Sequence, residues 1–244
     1  MRHEFRQDRR ARRLIPLAAL VAASALALTA CGDAGTTEPG ASGDSEPQTG
    51  GTLTVALAST PSIIDPFATS LQADWVVARQ VCEPLFDVST SFEVGPVLAE
   101  DLVDNGDSTY TLSLREGITF QNDEPFTSDD VIASLRRYFL TPGNGSVLGS
   151  LTTSLEAVDD TTLTITLNTP SPLLPTLLTT AYMMPASVVK DRPITDPVSE
   201  LVCTGPYTLT SYSADGDVVL DRWDGYQKLD TPGDGGLGEK NAYA

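Results

Sequence analysis

The sequence predicts a mixed α and β fold, and three observations carry that prediction. Several stretches place apolar residues at every second position, the spacing of a half-buried strand. One long stretch places them at helical spacing behind a polar, acidic start. Acid- and glycine-rich turns stand between successive strand-like stretches, which marks hairpins rather than long crossovers. Strand and helix signals alternate irregularly, so the class is α+β.

Taken in order, the first element is not part of the folded body. Six arginines (Arg2, Arg6, Arg9, Arg10, Arg12 and Arg13) precede an apolar run from Leu14 to Ala30, which closes on Leu28-Thr29-Ala30-Cys31. A cationic head, a short apolar core and a small-residue exit describe a secretory signal peptide over residues 1–30. The exit resembles a bacterial lipobox, which makes Cys31 the expected lipidation site and new first residue. An uncleaved anchor is the alternative, since the run has the short end of spanning length. Residues 31–51 are rich in Gly, Ser, Thr and Glu without apolar periodicity, and read as a flexible tether.

The folded body then runs from 52 to 244, about 190 residues, enough for a real core. Leu53, Val55 and Leu57 alternate with smaller residues and predict a first strand. Pro61, Asp65 and Pro66 break it. Trp75, Val76, Ala78 and Arg79 suit a short helix, with Asp74 near its start. Residues 110–114 (Tyr-Thr-Leu-Ser-Leu) predict a strand behind the turn Asp104-Asn105-Gly106-Asp107. That turn lacks the twelve-residue spacing and closing glutamate of a calcium loop. Thr127-Ser128-Asp129-Asp130 starts the clearest helix, with hydroxyls and acids suited to its free N–H groups and dipole. Val131, Leu135 and Tyr138 then recur at helical spacing. Leu163, Ile165 and Leu167 return to period two. Beyond Pro170, Pro172 and Pro175, Ser187 is placed to cap a short helix. Residues 207–212 and 218–221 make a hairpin around Ala214-Asp215-Gly216-Asp217.

Charge and histidine usage exclude whole classes of function. Removing residues 1–30 leaves nine basic and thirty-one acidic residues, a net of −22 against −18 for the full chain. Such a surface repels nucleic acid and anionic head groups. The single histidine, His3, lies in the signal segment, so the remaining chain has no imidazole for a Ser-His pair or a metal site. No Gly-x-Ser-x-Gly elbow is present, and no cofactor motif stands out. With Cys31 acylated, Cys82 and Cys203 remain as an even pair in an exported chain, where disulfides persist. Two buried free thiols are the alternative, because sequence alone does not bring their Cα atoms into bonding range.

Six blocks in order carry a family resemblance. They are Gly50-Gly-Thr-Leu-Thr-Val-Ala-Leu57 with Ile64-Asp-Pro-Phe67; Val81-Cys-Glu-Pro-Leu-Phe86; Pro96-Val-Leu-Ala-Glu100 with residues 110–120; Phe126-Thr-Ser-Asp-Asp-Val131 with Ser134-Leu-Arg-Arg137; Thr204-Gly-Pro-Tyr207; and Asp224-Gly-Tyr226. Together they resemble the family 5 extracellular solute-binding proteins, the peptide, oligopeptide and nickel receptors of ABC importers. The resemblance implies a fold like the type II periplasmic binding proteins. It implies a first lobe with an inserted subdomain over residues 79–185, and a binding function rather than an enzymatic one. Family members are about twice this length. The expectation from the resemblance is therefore a truncated chain, with the second lobe missing and solute bound weakly or not at all. Cys82 stands where these proteins often carry tyrosine, and Cys203 where glycine is common. The family fold brings both segments near one hinge, which favours their pairing.

The resemblance also implies a site and a setting. Thr69, Ser70, Leu71 and Gln72 match the loop that contacts ligand in the peptide receptors; an ordinary polar turn before the Trp75 helix is the alternative. Trp75 reads as packing, Gly205 and Pro206 as structural, Met183 and Met184 as core, and Arg136-Arg137 as capping or following an exposed helix face. The expected partners are a peptide or other small solute, the permease subunits of an ABC importer, and the membrane through a lipid anchor on its outer face. The receptor is expected to be a monomer. A single-lobe surface or chaperone-like lipoprotein is the alternative reading.

Overall fold

A computed structural model describes residues 50–213 and 217–240 of the chain. The predicted signal segment, Cys31, nearly all of the predicted tether and the centre of the last hairpin turn lie outside the described residues.

The core forms on a four-stranded antiparallel sheet in the order β3-β4-β6-β5, comprising β3 (Ala99–Asp104), β4 (Thr109–Leu114), β5 (Thr152–Asp159) and β6 (Thr162–Leu167). Its two middle strands are those with strict alternation. Tyr110, Leu112 and Leu114 are buried on β4, with Leu163, Ile165 and Leu167 beside them on β6. The register pairs Leu112 with Leu163 and Tyr110 with Ile165, so one face carries all six apolar groups. Each fully buried aliphatic or aromatic group contributes about 1.5–3 kcal/mol. Thr and Ser fill the opposite face. The β3–β4 turn forms as predicted, with Gly106 at φ 86° and its N–H on the Asp104 carboxylate at 2.8 Å.

Helix α2 (Ser128–Tyr138) covers the buried face. Asp130 accepts the Thr127 N–H at 2.8 Å, the acidic half of a capping box. Val131, Leu135 and Tyr138 point inward as their spacing requires. Ser128 fixes the helix on the sheet by donating its hydroxyl to the Asp159 carbonyl at 2.6 Å. Around this layer lie α1 (Gln72–Val81), the short pair β1 (Phe86–Val88) and β2 (Val94–Pro96), α3 (Asn144–Leu151), α4 (Leu174–Leu177), α5 (Ala186–Val189), and the hairpin β7 (Tyr207–Ser211) with β8 (Val219–Arg222). No helix among the described residues is long and apolar enough to cross a membrane.

Three expectations need correction. Residues 52–57 form no strand; Leu53 and Val55 are 74% and 63% exposed. Alternation defines an apolar face, but a strand also needs a neighbour's N–H and C=O groups, and no described strand pairs with this segment. Ser187 is the second residue of α5 rather than its cap. Its hydroxyl donates to Glu124, while Asp130 accepts the Ala186 N–H at 2.7 Å from across the fold. Asp74 does lie in the first turn of α1, as expected, and it also ties down the preceding loop: it is buried, and accepts the Ser62 N–H at 2.6 Å and the Thr69 hydroxyl. Arg137 lies on the inner face of α2. Its guanidinium grips Asp65 with two bonds of 3.0 and 2.6 Å, both side chains being essentially inaccessible. Asp65 also accepts the N–H groups of Phe67 and Val198, so the buried carboxylate is well hydrogen-bonded.

Candidate functional site

The chain crosses itself where α1 ends, and that crossing builds the floor of a cleft. Cys82 follows α1 and is bonded to Cys203, with Cα atoms 4.8 Å apart across 121 residues of sequence. Gly205 then runs against the α1 terminus. Its N–H donates to the Val81 carbonyl at 2.8 Å, and a Cβ at this position would stand 2.6 Å from that oxygen. Only glycine fits there, which gives the Thr204-Gly205-Pro206-Tyr207 block its physical reason.

Gln121 closes the crossing with its single amide. Its Nε2 donates to the carbonyls of Gly205 (3.1 Å) and Tyr207 (2.8 Å), and its Oε1 accepts the Cys203 N–H at 3.2 Å. Beside it lies Glu83, 2% exposed. Its carboxylate accepts from Thr204 at 3.0 Å and Tyr226 at 2.8 Å, with the Lys240 ammonium at 3.7 Å. Burial pushes the Glu83 carboxyl above its ordinary range, against the opposing pull of Lys240 and the two hydroxyls. Burial and the Glu83 charge push the Tyr226 hydroxyl up as well.

Above this floor lies a cleft of about 430 Å³ lined by α1, Asp87, Tyr182, Tyr207, the Gly235-Gly236 turn and Lys240. Gln72, Val76 and Arg79 project from α1 along one side. Arg79 is half exposed and 3.5 Å from Asp87. Gly236 passes so close to the Asp87 carboxylate that a side chain there would collide with it. Tyr182 stacks at a tilt on Trp75, with ring centroids 5.5 Å apart, which makes Trp75 a packing residue. Met183 and Met184 are fully buried in the core.

Of the four loop residues named from sequence, Gln72 lines the cleft. Thr69 is turned toward Asp74 and accepts the Leu71 N–H at 3.1 Å; Ser70 and Leu71 are exposed beyond the lining. Sequence reasoning missed Arg79, Asp87, Gln121 and Lys240 as site residues. They carry no spacing signal, because segments up to about 160 positions apart supply them. The Glu83 and Gly205 blocks were visible only as family resemblance. Among the described residues, no group of three His, Cys, Asp or Glu side chains is placed to hold a metal ion. The cleft presents both signs of charge, ring faces and backbone amides, which suits reversible recognition of a polar ligand.

Residues 93–240 match the family described as bacterial extracellular solute-binding proteins, family 5 Middle. The chain belongs to this family. Glutathione-binding protein GsiB of Escherichia coli K12 is 31% identical over 191 residues, covering 74% of this chain and 36% of that protein. Oligopeptide-binding protein OppA of Bacillus subtilis is 26% identical over 230 residues, covering 84% and 42%. The match thus spans little more than a third of the length of the first relatives. An ABC transporter substrate-binding protein from Sinorhizobium meliloti superposes with a TM-score of 0.63 at 29% identity, covering 75% of this chain and 38% of that one. The oligopeptide-binding protein AppA of Bacillus subtilis, solved with a nonapeptide, shares the fold at a TM-score of 0.67 and 19% identity, covering 74% and 38%. The family 5 protein therefore has the fold of part of a type II periplasmic binding protein, as its sequence blocks imply.

Proposed function

We propose that this family 5 protein captures peptides, or a small polar solute of similar character, for an ABC importer. The family match over residues 93–240 carries the reading. The protein acts by binding and not by catalysis, as a monomer that delivers solute to the importer's permease subunits. Gln72, Arg79 and Lys240 supply side-chain contacts on the cleft wall, with the Thr69, Ser70 and Leu71 turn at its rim. An extended peptide backbone pairs well with such a surface without its side chains being read. The domain division follows the sequence: signal over 1–30, tether over 31–51, and the folded lobe over 52–244 with 79–185 as its inserted part.

The setting is the outer face of the cytoplasmic membrane, reached by export and held through lipid on Cys31. The lipobox-like Leu28-Thr29-Ala30-Cys31 supports that reading, and a tethered receptor gains effective concentration at its permease. Mass spectrometry of membrane-extracted protein tests it: acyl mass on a peptide beginning at Cys31 is expected, and an unmodified Cys31 in a retained leader would end it.

The binding reading is tested by titrating isotope-labelled protein with defined peptides of two to nine residues and following amide shifts. Weak but saturable shifts are expected at Gln72, Val76, Arg79, Gly235 and Gly236. Absence of saturable shifts with every peptide, or shifts confined to the far side of α2, would refute it.

A further inference from the structure

We infer that the cleft between α2 and α5 is a docking site for an acidic, partly apolar segment of a partner protein. It is distinct from the proposed solute cleft and does not depend on that reading.

The observation is a pattern of pairing. The described residues include nine lysines and arginines. Six of them face carboxylates: Arg79, Arg137, Arg192, Arg222, Lys228 and Lys240. Arg115 donates to the carbonyls of Val97, Gln227 and Lys228. Among the described residues, only Arg136 and Lys190 have no such oxygen partner, and both line the same cavity of about 450 Å³. One unpaired surface cation means little, since exposed pairs are worth about 0–1 kcal/mol. Two of them facing one cavity, in a chain with acids in large excess, leave a localised positive demand that the lobe does not answer.

The cavity is also shaped for more than a free anion. α5 and the turn after it run beside α2, from Asp130 on the Ala186 N–H to Arg137 on the Asp196 carbonyl. Lys190 and Arg192 thus lie toward the Arg136 end, while Asp129 sits two helical turns away on the same face, roughly 10 Å. Arg192 is already paired with Asp196, and Asp191 is the remaining acid beside Lys190. Apolar surface flanks Arg136 on both sides: Ile132, about one turn before it, is half-buried, and Leu140, about one turn beyond it, is 57% exposed. A free phosphate would leave that surface wet. An anionic bilayer would be repelled by the rest of the chain. A segment of about three to four extended residues spans the distance, with a carboxylate at Arg136 and aliphatic side chains over Ile132 and Leu140 on either side of it. Arg136, which the sequence places on an exposed helix face, becomes an anchor for a carboxylate.

The probe is a fluorescent, end-blocked Gly-Glu-Leu-Glu-Leu-Glu-Gly peptide, with its lysine-for-glutamate counterpart as control. Anisotropy should show saturable binding of the acidic peptide that weakens with added salt and is at least about tenfold tighter than that of the basic one, whose residual binding belongs to the proposed solute cleft. The double variant Arg136→Glu, Lys190→Glu should lose at least about tenfold in affinity, and Leu140→Ser several-fold. Arg79→Ala, in the other cleft, should leave binding within about twofold. Both reversed side chains are exposed, so an unchanged melting midpoint is the fold control. The inference fails if the acidic peptide does not bind, or if the double variant binds it equally. It fails equally if Arg79→Ala abolishes binding, or if inorganic phosphate or phosphatidylglycerol vesicles displace the peptide through Arg136 and Lys190 at comparable concentrations.

Discussion

The four-stranded sheet and the crossing beneath the proposed solute cleft are held by different kinds of force. In the sheet, stability is spread over many similar apolar groups, six of them from β4 and β6 alone. At the crossing it is concentrated in single groups: one disulfide, one amide, one buried carboxylate and one glycine that tolerates no side chain. The Asp65–Arg137 pair belongs with the crossing in kind, since it ties α2 to two distant segments through one guanidinium. A distributed core yields by degrees. A joint made of single groups fails at one residue, and so takes a defined geometry that a site can use.

Substitutions can break this contrast, beginning with the largest effect. Asp65→Ala leaves Arg137 buried and unpaired, which should cost about 3–5 kcal/mol, read from denaturant midpoints. Replacing both partners with Leu and Met should recover much of that loss. Cys82→Ala with Cys203→Ala should cost about 2–5 kcal/mol, near the top of that span because the closed loop is long. A midpoint equal to the parent's under non-reducing conditions would show that the bond contributes nothing. In the sheet, Ile165→Val should cost only about 0.5–1.5 kcal/mol, as befits one group among many.

The two regions should also answer pH in opposite senses. Glu83 is held above its ordinary value of 4.5 chiefly by burial. The folded state therefore keeps that proton longer, so its contribution is complete below 4.5 and is lost as pH climbs through the folded value. Asp107 and Asp159, at the two sheet hairpins, are held below 3.8 chiefly by hydrogen bonds from Thr109 and Thr161. Their contribution is present above 3.8 and is lost as pH falls through their folded values. Glu83→Gln should flatten the decline in stability from pH 4.5 toward neutrality and leave the acid limb unchanged. A melting-midpoint profile that Glu83→Gln does not alter would place the alkaline slope elsewhere. Smallest of all, Leu53→Ser should change stability by less than about 0.5 kcal/mol, because that side chain already faces water.

Leu53 also marks the limit of what sequence reveals here. β4, β6 and α2 were legible because each writes its own periodicity and, for α2, its own cap. The same period-two signal at residues 52–57 misled, since alternation names a face and not a pairing partner. β5 escaped notice because it is an edge strand with only Leu155 buried. α3 contains two glycines that obscure a helix, yet Gly149 lies where a Cβ would meet Phe139 at 2.7 Å, so the residue serves packing. In the site, Gln72 was readable from the loop resemblance. Gln121, Glu83 and Lys240 meet only after folding, and no local pattern announces such a meeting.

The Cys82–Cys203 bond has one more consequence. It turns everything between those two residues, the sheet and α2 included, into a covalent ring. A protease that cuts an exposed tip within the ring, such as the turn around Phe92 at 88% exposure, opens a circle and releases no fragment. Such nicked molecules should keep their mass on a non-reducing gel and split in two only when reductant is added. Damage inside the ring is thus separated from loss of material.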